Sequence, residues 1–473
     1  MNENVKRLVS CLIVVCLIIS MLAILSQIVE RKGSYIKYQD FFGQQADFDV
    51  LFFGSSKVLN GIFPMELWND YGIVSYNMGG HGTHLPTSYW LIQNALDYTT
   101  PKLIVLDCFT LFSNLMIDKE KYLHVSFDRF PLSKNKISAI FDLIREDEGE
   151  KGDINAKRIE FLWDFAIYHN RWSELTKEDF FPTPNVYKGA DPRINVAVPE
   201  KMGSILPEEK MTEKTVGYEY LVNTIELCQQ RGLEILLINI PFPTTNKAVL
   251  SAANTVYDIA EEYGVNYINF FDVDLIDYNT DCYDPNSHLN PSGAQKISKY
   301  LGEYISRNYD ISDQRGNQEY KNWYEDSKEY YAEKVRLISE QELLSRYLML
   351  LADDDFSFVM DIMKPLPEKN DQLRYLLKNL GINPDAIKEP CYVVVDRVAG
   401  TVEVIKYEVE VQNAAETSFG ALSNKWNDKG KYSEIGNSIW KIATTDEQAQ
   451  YDVRIGLYSV DREHIETSWF HFE

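Results

Sequence analysis

The chain has 473 residues, 45% of them hydrophobic, more than one core usually fills, which points to two folded domains plus appendages. Its formal net charge of −24, with no long basic run, repels phosphate backbones and argues against nucleic-acid binding. The six cysteines are scattered, two of them inside an amino-terminal apolar segment, with no CxxC pair, so they describe neither a metal knuckle nor a disulfide framework.

Leu8 to Val29 carries no charged residue, and at about 1.5 Å per residue it is long enough to cross a hydrocarbon core of about 30 Å. Residues 1–32 are therefore read as an uncleaved signal anchor. A cleaved signal peptide is the alternative, but the apolar run is long for one and no small-x-small exit precedes Glu30. Lys6 and Arg7 precede the span and Arg31 and Lys32 follow it, so charge leaves the orientation ambiguous. Position decides it: a short amino terminus inside and the bulk of the chain extracytoplasmic. Leu8–Cys11, LVSC, looks like a lipoprotein box, yet almost no apolar segment precedes it, and lipidation is discounted.

Val50 to Phe53 is an apolar run too short for a helix and ended by Gly54, the pattern of a parallel strand buried on both faces. Val58, Leu59, Ile62 and Leu67 follow at roughly helical spacing, which puts Ser56 at a helix N-terminus beside the carboxyl end of a strand. Open α/β sheets place ligands there, and free N–H groups there can hold an oxyanion. The same pattern also fits ordinary turn and capping chemistry. A second strand is expected near Ile73–Asn77, followed by the loop MGGHGTHLP from Met78. Its three clustered glycines permit positive φ and close backbone approach, which suits either an anion-facing loop or a plain turn. His81 and His84 lack acidic or cysteine neighbours, so no metal site is read there, and His81 is kept as a substrate-binding candidate. A helix Thr87–Tyr98 and a third strand, Leu103–Leu106 closed by Asp107, complete this part.

From Phe109 to about Thr215 the alternation breaks into aromatic and charged segments, including an acidic patch, REDEGE, from Arg145. An excursion of that length suits a lid or a substrate-binding insertion. His169, Asn170, Arg171 and Trp172 offer donors and a stacking face for substrate, unless they belong to a capped, salt-bridged surface helix. Regular winding resumes with helix Val216–Arg231, strand Glu234–Ile240, helix Thr245–Tyr263 and strand Val265–Phe270. DPNSHLNPSG then carries His288 on a loop, and Pro291 starts a closing helix through Ile305. Residues 33–309 thus read as one α/β domain with an insertion at about 109–215. Residues 310–345 read as a polar linker and the start of a helix, Tyr331–Leu351, and 346–473 as a small α+β accessory domain. Its strands are expected near Phe356–Ile362, Cys391–Asp396, Val402–Val411 and Asp452–Val460, with a helix at Asp371–Leu380.

Three ordered blocks, strand-GxS-helix at Ser56, NxxxxG from Asn77 to Gly82, and the late loop with Asp284 and His288, carry a family resemblance. Over about Asp49–Tyr304, interrupted by the insertion, the chain resembles the SGNH, or GDSL-like, hydrolase superfamily. That resemblance implies a flavodoxin-like, three-layer α/β fold, a parallel sheet with helices on both faces. It also implies Ser56 as nucleophile, the N–H groups of Ser56 and Gly82 as oxyanion hole, and Asp284 with His288 as the rest of the catalytic unit. The chemistry agrees: a serine hydroxyl is a poor nucleophile until a neutral imidazole takes its proton and a carboxylate holds that imidazole's tautomer.

Two departures stand out. Asp284 lies four residues before His288 instead of three, with Pro285 at the usual place. Where the family carries GxND, this chain reads LDCFT from Leu106 to Thr110. Losing such an asparagine donor typically costs about 2.7–4 kcal/mol of transition-state stabilisation; Thr110, Asn114 and Asn170 are the candidate replacements. The anchor, the missing GxND and the GGHG loop together look like the membrane-anchored bacterial proteins that accompany membrane-bound O-acyltransferases. Relatives in that group act in alginate O-acetylation and teichoic-acid D-alanylation. The resemblance implies an exported serine esterase or O-acyltransferase acting on O-acetyl groups of a cell-surface polysaccharide, requiring no metal and no cofactor. Its partners would be that polysaccharide or an acyl donor, the membrane, and a membrane-bound O-acyltransferase. The rival is a non-catalytic protein of the same fold that binds glycan or the acyltransferase. The missing asparagine favours the rival, and the preserved order of the three blocks opposes it.

Overall fold

The computed structural model describes residues 3–30, 32–44, 47–145, 154–163, 165–182, 185–406, 411–427, 430–435, 438–441 and 450–473. The acidic patch lies, from residue 146 onward, outside them. Helix α1 (Glu3–Val29) contains a 22-residue apolar stretch, Val5–Ser26, none of it buried against the protein and long enough to cross a membrane. Helix α2 (Lys32–Gly43) follows almost at once and buries Tyr38 and Phe41 in the main core.

The chain then lays down β1 (Val50–Phe53), α3 (Ser56–Gly61), α4 (Pro64–Tyr71), β2 (Ser75–Asn77), α5 (Leu85–Ala95) and β3 (Leu103–Asp107). The insertion contributes α6 (Glu120–Phe127), α7 (Lys134–Leu143), α8 (Ile154–Leu162), α9 (Phe165–Tyr168) and α10 (Lys177–Phe180). Next come α11 (Val216–Arg231), β4 (Glu234–Asn239), α12 (Lys247–Tyr263), β5 (Asn266–Asn269) and α13 (Pro291–Asn308). The five strands form one parallel sheet in the order β2-β1-β3-β4-β5. Leu51, Phe53, Ile104, Leu106 and Leu237 pack into one core, with Leu91 of α5, Ile225 of α11 and Val256 of α12. Their neighbours Val50, Phe52, Leu103, Val105 and Leu236 face the other core, with Val58 of α3 and Leu301 of α13. Burial on both faces is why these strands read as unbroken apolar runs. The strand order reverses between β1 and β3, and ligands of open α/β sheets bind at such a switch point, beyond the carboxyl ends of the strands.

The insertion is packed into the domain, since Leu123, Phe127, Ile140, Leu143 and Phe161 all join the main core. Its last part returns to the sheet as an extended strap. Asn77 N–H donates to Lys188 C=O at 2.9 Å, and Asp191 N–H to Leu59 C=O at 2.9 Å. Gly189 is required there: its φ is +88°, and a Cβ would lie 2.2 Å from the Asn77 carbonyl.

One expectation for the carboxyl-terminal part needs correction. The stretch read as a polar linker holds Tyr320 and then α14 (Asn322–Ser339), and Tyr320, Trp323 and Tyr330 are buried in the main core. The aromatics were masked by the acidic and basic residues between them. Beyond lie α15 (Leu344–Leu350), β6 (Phe356–Ile362), α16 (Asp371–Asn379), β7 (Cys391–Asp396) and β8 (Thr401–Lys406). The chain continues with β9 (Val411–Thr417), β10 (Gly420–Asn427), β11 (Gly430–Ile435), β12 (Ser438–Lys441), β13 (Val453–Ser459) and β14 (His464–Phe470). A five-stranded antiparallel sheet runs β14-β13-β6-β7-β8, and a four-stranded one β12-β11-β10-β9. The unit is thus dominated by antiparallel sheet. The strands of the smaller sheet are rich in Ser, Asn, Lys and Glu, and hide in a hydropathy pattern.

Trp323→Ala should therefore lower stability by about 3–5 kcal/mol, the cost of emptying a buried aromatic site. Denaturant unfolding of the detergent-solubilised full chain reads this. A change within about 0.5 kcal/mol, as for a surface linker, would contradict the packing.

Candidate active site

Ser55 N-caps α3, its Oγ accepting the Lys57 N–H at 3.3 Å. Ser56 is the first residue of the helix, where backbone N–H groups have no partner within the helix. Its Oγ lies 2.8 Å from His288 Nε2, and His288 Nδ1 lies 2.5 Å from Asp284 Oδ2. The extra residue between Asp284 and His288 closes as a turn: Asp284 Oδ1 accepts the His288 N–H at 3.0 Å and the Asn286 N–H at 3.4 Å. Burial pushes the Asp284 carboxyl up, but the hydrogen bonds from the His288 ring and backbone outweigh it and leave the pKa below its ordinary value. Asp281, the other carboxylate on the loop, is wholly buried and engaged with Ser292 Oγ (2.8 Å) and Lys296 Nζ (2.7 Å). It anchors the loop to α13.

The NxxxxG block has a divided use. Asn77 accepts the Gly79 N–H at 2.9 Å and donates to the carbonyls of Val58 (2.7 Å) and Ile62 (2.8 Å), tying β2 to α3. Gly79 is the close-approach glycine, because a Cβ there would stand 2.7 Å from Leu59 N. Gly82 has φ +58°, and its vacant side faces Tyr122 and Asp118 of the insertion. His81 leans on the strap, with Nε2 3.3 Å from Arg193 Nη2 and 3.9 Å from Asp191. Burial, then the Arg193 cation, lowers the His81 pKa, and His288 is near enough to add to that push. His81, Arg193 and Asp191 thus form one group where the glycine loop meets the strap. The two strap residues lie in a stretch with no local pattern, which is why sequence reasoning missed them.

Lys57 was also missed. It is buried, its ammonium 3.4 Å from the ring centre of Phe242 and 4.3 Å from that of Phe109, and it donates to the Ser287 carbonyl at 2.9 Å. Burial pushes the Lys57 ammonium down to about 8, against the pull of the Asp107 and Asp284 carboxylates. Burial raises Asp107, at the end of β3, to about 7. A cation thus sits one residue after Ser56 and holds the loop residue preceding His288.

Other sequence candidates lie elsewhere. Thr110 Oγ1 accepts the Leu85 N–H at 3.1 Å at the start of α5, and Asn114 Oδ1 accepts the Val216 N–H at 3.2 Å. His169, Asn170 and Trp172 are exposed on the insertion. Arg171 donates to the carbonyls of Val29 and Glu30 at the end of α1, and to Asp179 at 3.1 Å. Among the described residues, none of these six hydrogen-bonds to Ser56, His288 or Asp284.

No protein-family model matches the chain, and no curated protein does. Among solved structures, a Bacteroides fragilis protein described as a putative acylhydrolase is similar at a TM-score of 0.29 and 9% identity, over 59% of this chain and 98% of that one.

Lys57 is charged below about pH 8 and neutral above it. The rate at which a fluorophosphonate labels Ser56 should therefore fall as pH rises through that value. Lys57→Met should flatten this alkaline limb and lower the plateau; an unchanged limb would show that Lys57 does not support the site.

Proposed function

We propose that this chain is a membrane-anchored serine-type acyl esterase or O-acyltransferase of the SGNH kind, acting outside the membrane on O-acetyl groups of a cell-surface polysaccharide. The observation that carries the reading is the continuous hydrogen-bonded chain Ser56–His288–Asp284 at the carboxyl edge of the sheet's switch point. Ser56 Oγ attacks the acyl carbon while His288 Nε2 takes its proton. Asp284 holds the other ring N–H and stabilises the imidazolium. The tetrahedral oxyanion faces the N–H groups of Ser56 and Gly82, with the Lys57 cation adding positive potential in place of the absent asparagine donor. On collapse, His288 returns the proton to the departing alcohol. The acyl-serine is then taken by water, giving hydrolysis, or by a sugar hydroxyl, giving transfer, with His288 again the base. An apolar span at the amino terminus supports placement at a membrane, near an acyltransferase partner that would deliver acyl groups.

Ser56→Ala and His288→Ala should each abolish fluorophosphonate labelling and acyl turnover, and the double variant should be no worse than either. Asp284→Asn should cut turnover by about 10⁴, as the wrong tautomer does in serine proteases. Retained labelling in Ser56→Ala would place the nucleophile at another residue, whereas no labelling of the wild-type chain would favour the binding-protein reading, which the engagement of Thr110 and Asn114 elsewhere supports. Hydrolysis and transfer separate on acceptor dependence. Transfer requires that bound sugar outcompete water at about 55 M, so oligosaccharide should raise turnover and yield acylated sugar. Efficient ester hydrolysis with no acylated product at any acceptor concentration makes the protein a de-O-acetylating esterase.

A further inference from the structure

We propose that the aromatic surface formed by α8–α10 of the insertion seats in the headgroup region of the bilayer that α1 crosses, fixing the height and tilt of the catalytic domain. This rests on reading α1 as a membrane span. Trp163, Trp172, Phe180 and Phe181 are 49%, 73%, 53% and 74% exposed, whereas Trp68 and Trp323 are fully buried. These four large exposed aromatics lie within one short stretch of chain, on segments that neighbour α1.

Their location names the occupant. The α9 and α10 helices pack directly on α1. Arg171, beside Trp172, donates to the carbonyls of Val29 and Glu30, the last groups of that helix, and Arg129 pairs with Glu30 at 3.6 Å. Asp179, in the turn that presents Phe180 and Phe181, holds Arg171 in place at 3.1 Å. If Val5–Ser26 fills the hydrocarbon core, Val29 and Glu30 emerge at its boundary, and groups clamped to them lie at headgroup depth. Aromatic rings concentrate at that depth. The domain has no slack to lift away, because α2 starts at Lys32, and its Lys37 ammonium reaches the carbonyl of Gly79 in the site loop. With a net charge of −24 the chain has little electrostatic attraction to anionic lipid. Insertion of aromatic surface is the contact left to it.

The test uses the full chain in nanodiscs of phosphatidylcholine, with or without bromine on the upper acyl-chain positions. Helix α1 contains no tryptophan, so bromine reports only on ectodomain tryptophans that reach the bilayer. Wild-type emission should be quenched by up to the share of two of the eight tryptophans, and Trp163→Phe/Trp172→Phe should remove the quenching. Phe180→Ser/Phe181→Ser, which keeps both tryptophans, should weaken it. Absence of quenching in the wild type, or equal quenching in the double tryptophan variant, overturns the proposal. A face covered by a partner protein instead gives that absence in discs holding this chain alone. Resistance to carbonate extraction reads α1 insertion separately, and fluorophosphonate labelling in the same discs reads Ser56. Failure of the docking is thereby distinct from failure of the anchor or of the chemistry.

Discussion

Gly54 is where β3 and α3 close on the turn that follows β1. Its φ is +152°, and a Cβ there would stand 2.6 Å from a Val58 methyl and 2.7 Å from Asp107 Cβ. Only the missing side chain lets α3 start two residues later with Ser56 at its open N-terminus. Its carbonyl also accepts the Gly80 N–H at 3.0 Å, which sets the GGHG loop alongside the same turn. The position of Ser56, the loop that flanks it and the Asp107 end of β3 all follow from one close approach.

The parts legible in the sequence were those whose signal is local. The apolar run Val50–Phe53 ended by glycine, the cap-and-glycine limits of Val216–Arg231, and Pro291 opening the closing helix can each be read within a dozen residues. The pairing of Ser56 with His288 came instead from the order of the blocks, since 232 residues separate the two. What stayed hidden was tertiary in origin. Arg193 and Asp191 meet His81 because Gly189 lets the strap pass close to Asn77, and nothing around them repeats. Trp323 looks like one aromatic in a charged segment until the core it fills is known. Arg171 and Trp172 read as a substrate surface from composition, yet Arg171 meets the backbone at the end of α1, and Trp172 is exposed.

A strongly acidic chain with several buried cations must place each of them against carbonyls or carboxylates, and here those placements join separate parts of the molecule. Lys334 of α14 lies 2.8 Å from each of Glu66, Asp353 and Asp355, linking α4 to the start of the second sheet domain. Lys188 of the strap reaches Asp40 of α2 at 3.0 Å and Asp326 of α14 at 2.7 Å. Such buried networks add little net stability over apolar packing. Removing one partner is nevertheless costly, about 3–5 kcal/mol, so they impose a single arrangement more than they strengthen it.

That arrangement gives the antiparallel domain a bearing on the distant serine. The strap runs on past Arg193 beneath the loop that carries Asp284 and His288. Ala197 N–H donates to Cys282 C=O at 3.0 Å, Glu200 N–H to Pro285 C=O at 2.8 Å, and Asn195 Nδ2 to Tyr283 C=O at 3.0 Å. The other side of the strap belongs to the second domain: Ile194 and Val196 pack against its core, and Gln372 of α16 donates to the Val196 carbonyl at 3.0 Å. Lys296, which holds Asp281, is itself held by Asn379 at 2.9 Å. The His288 loop has no strand of its own and only an isolated bridge, Cys282 with Leu289. Its shape is therefore imposed from outside, by the strap on one side and α13 on the other, and both are braced by the carboxyl-terminal unit. The antiparallel domain thus braces the elements that hold the His288 loop.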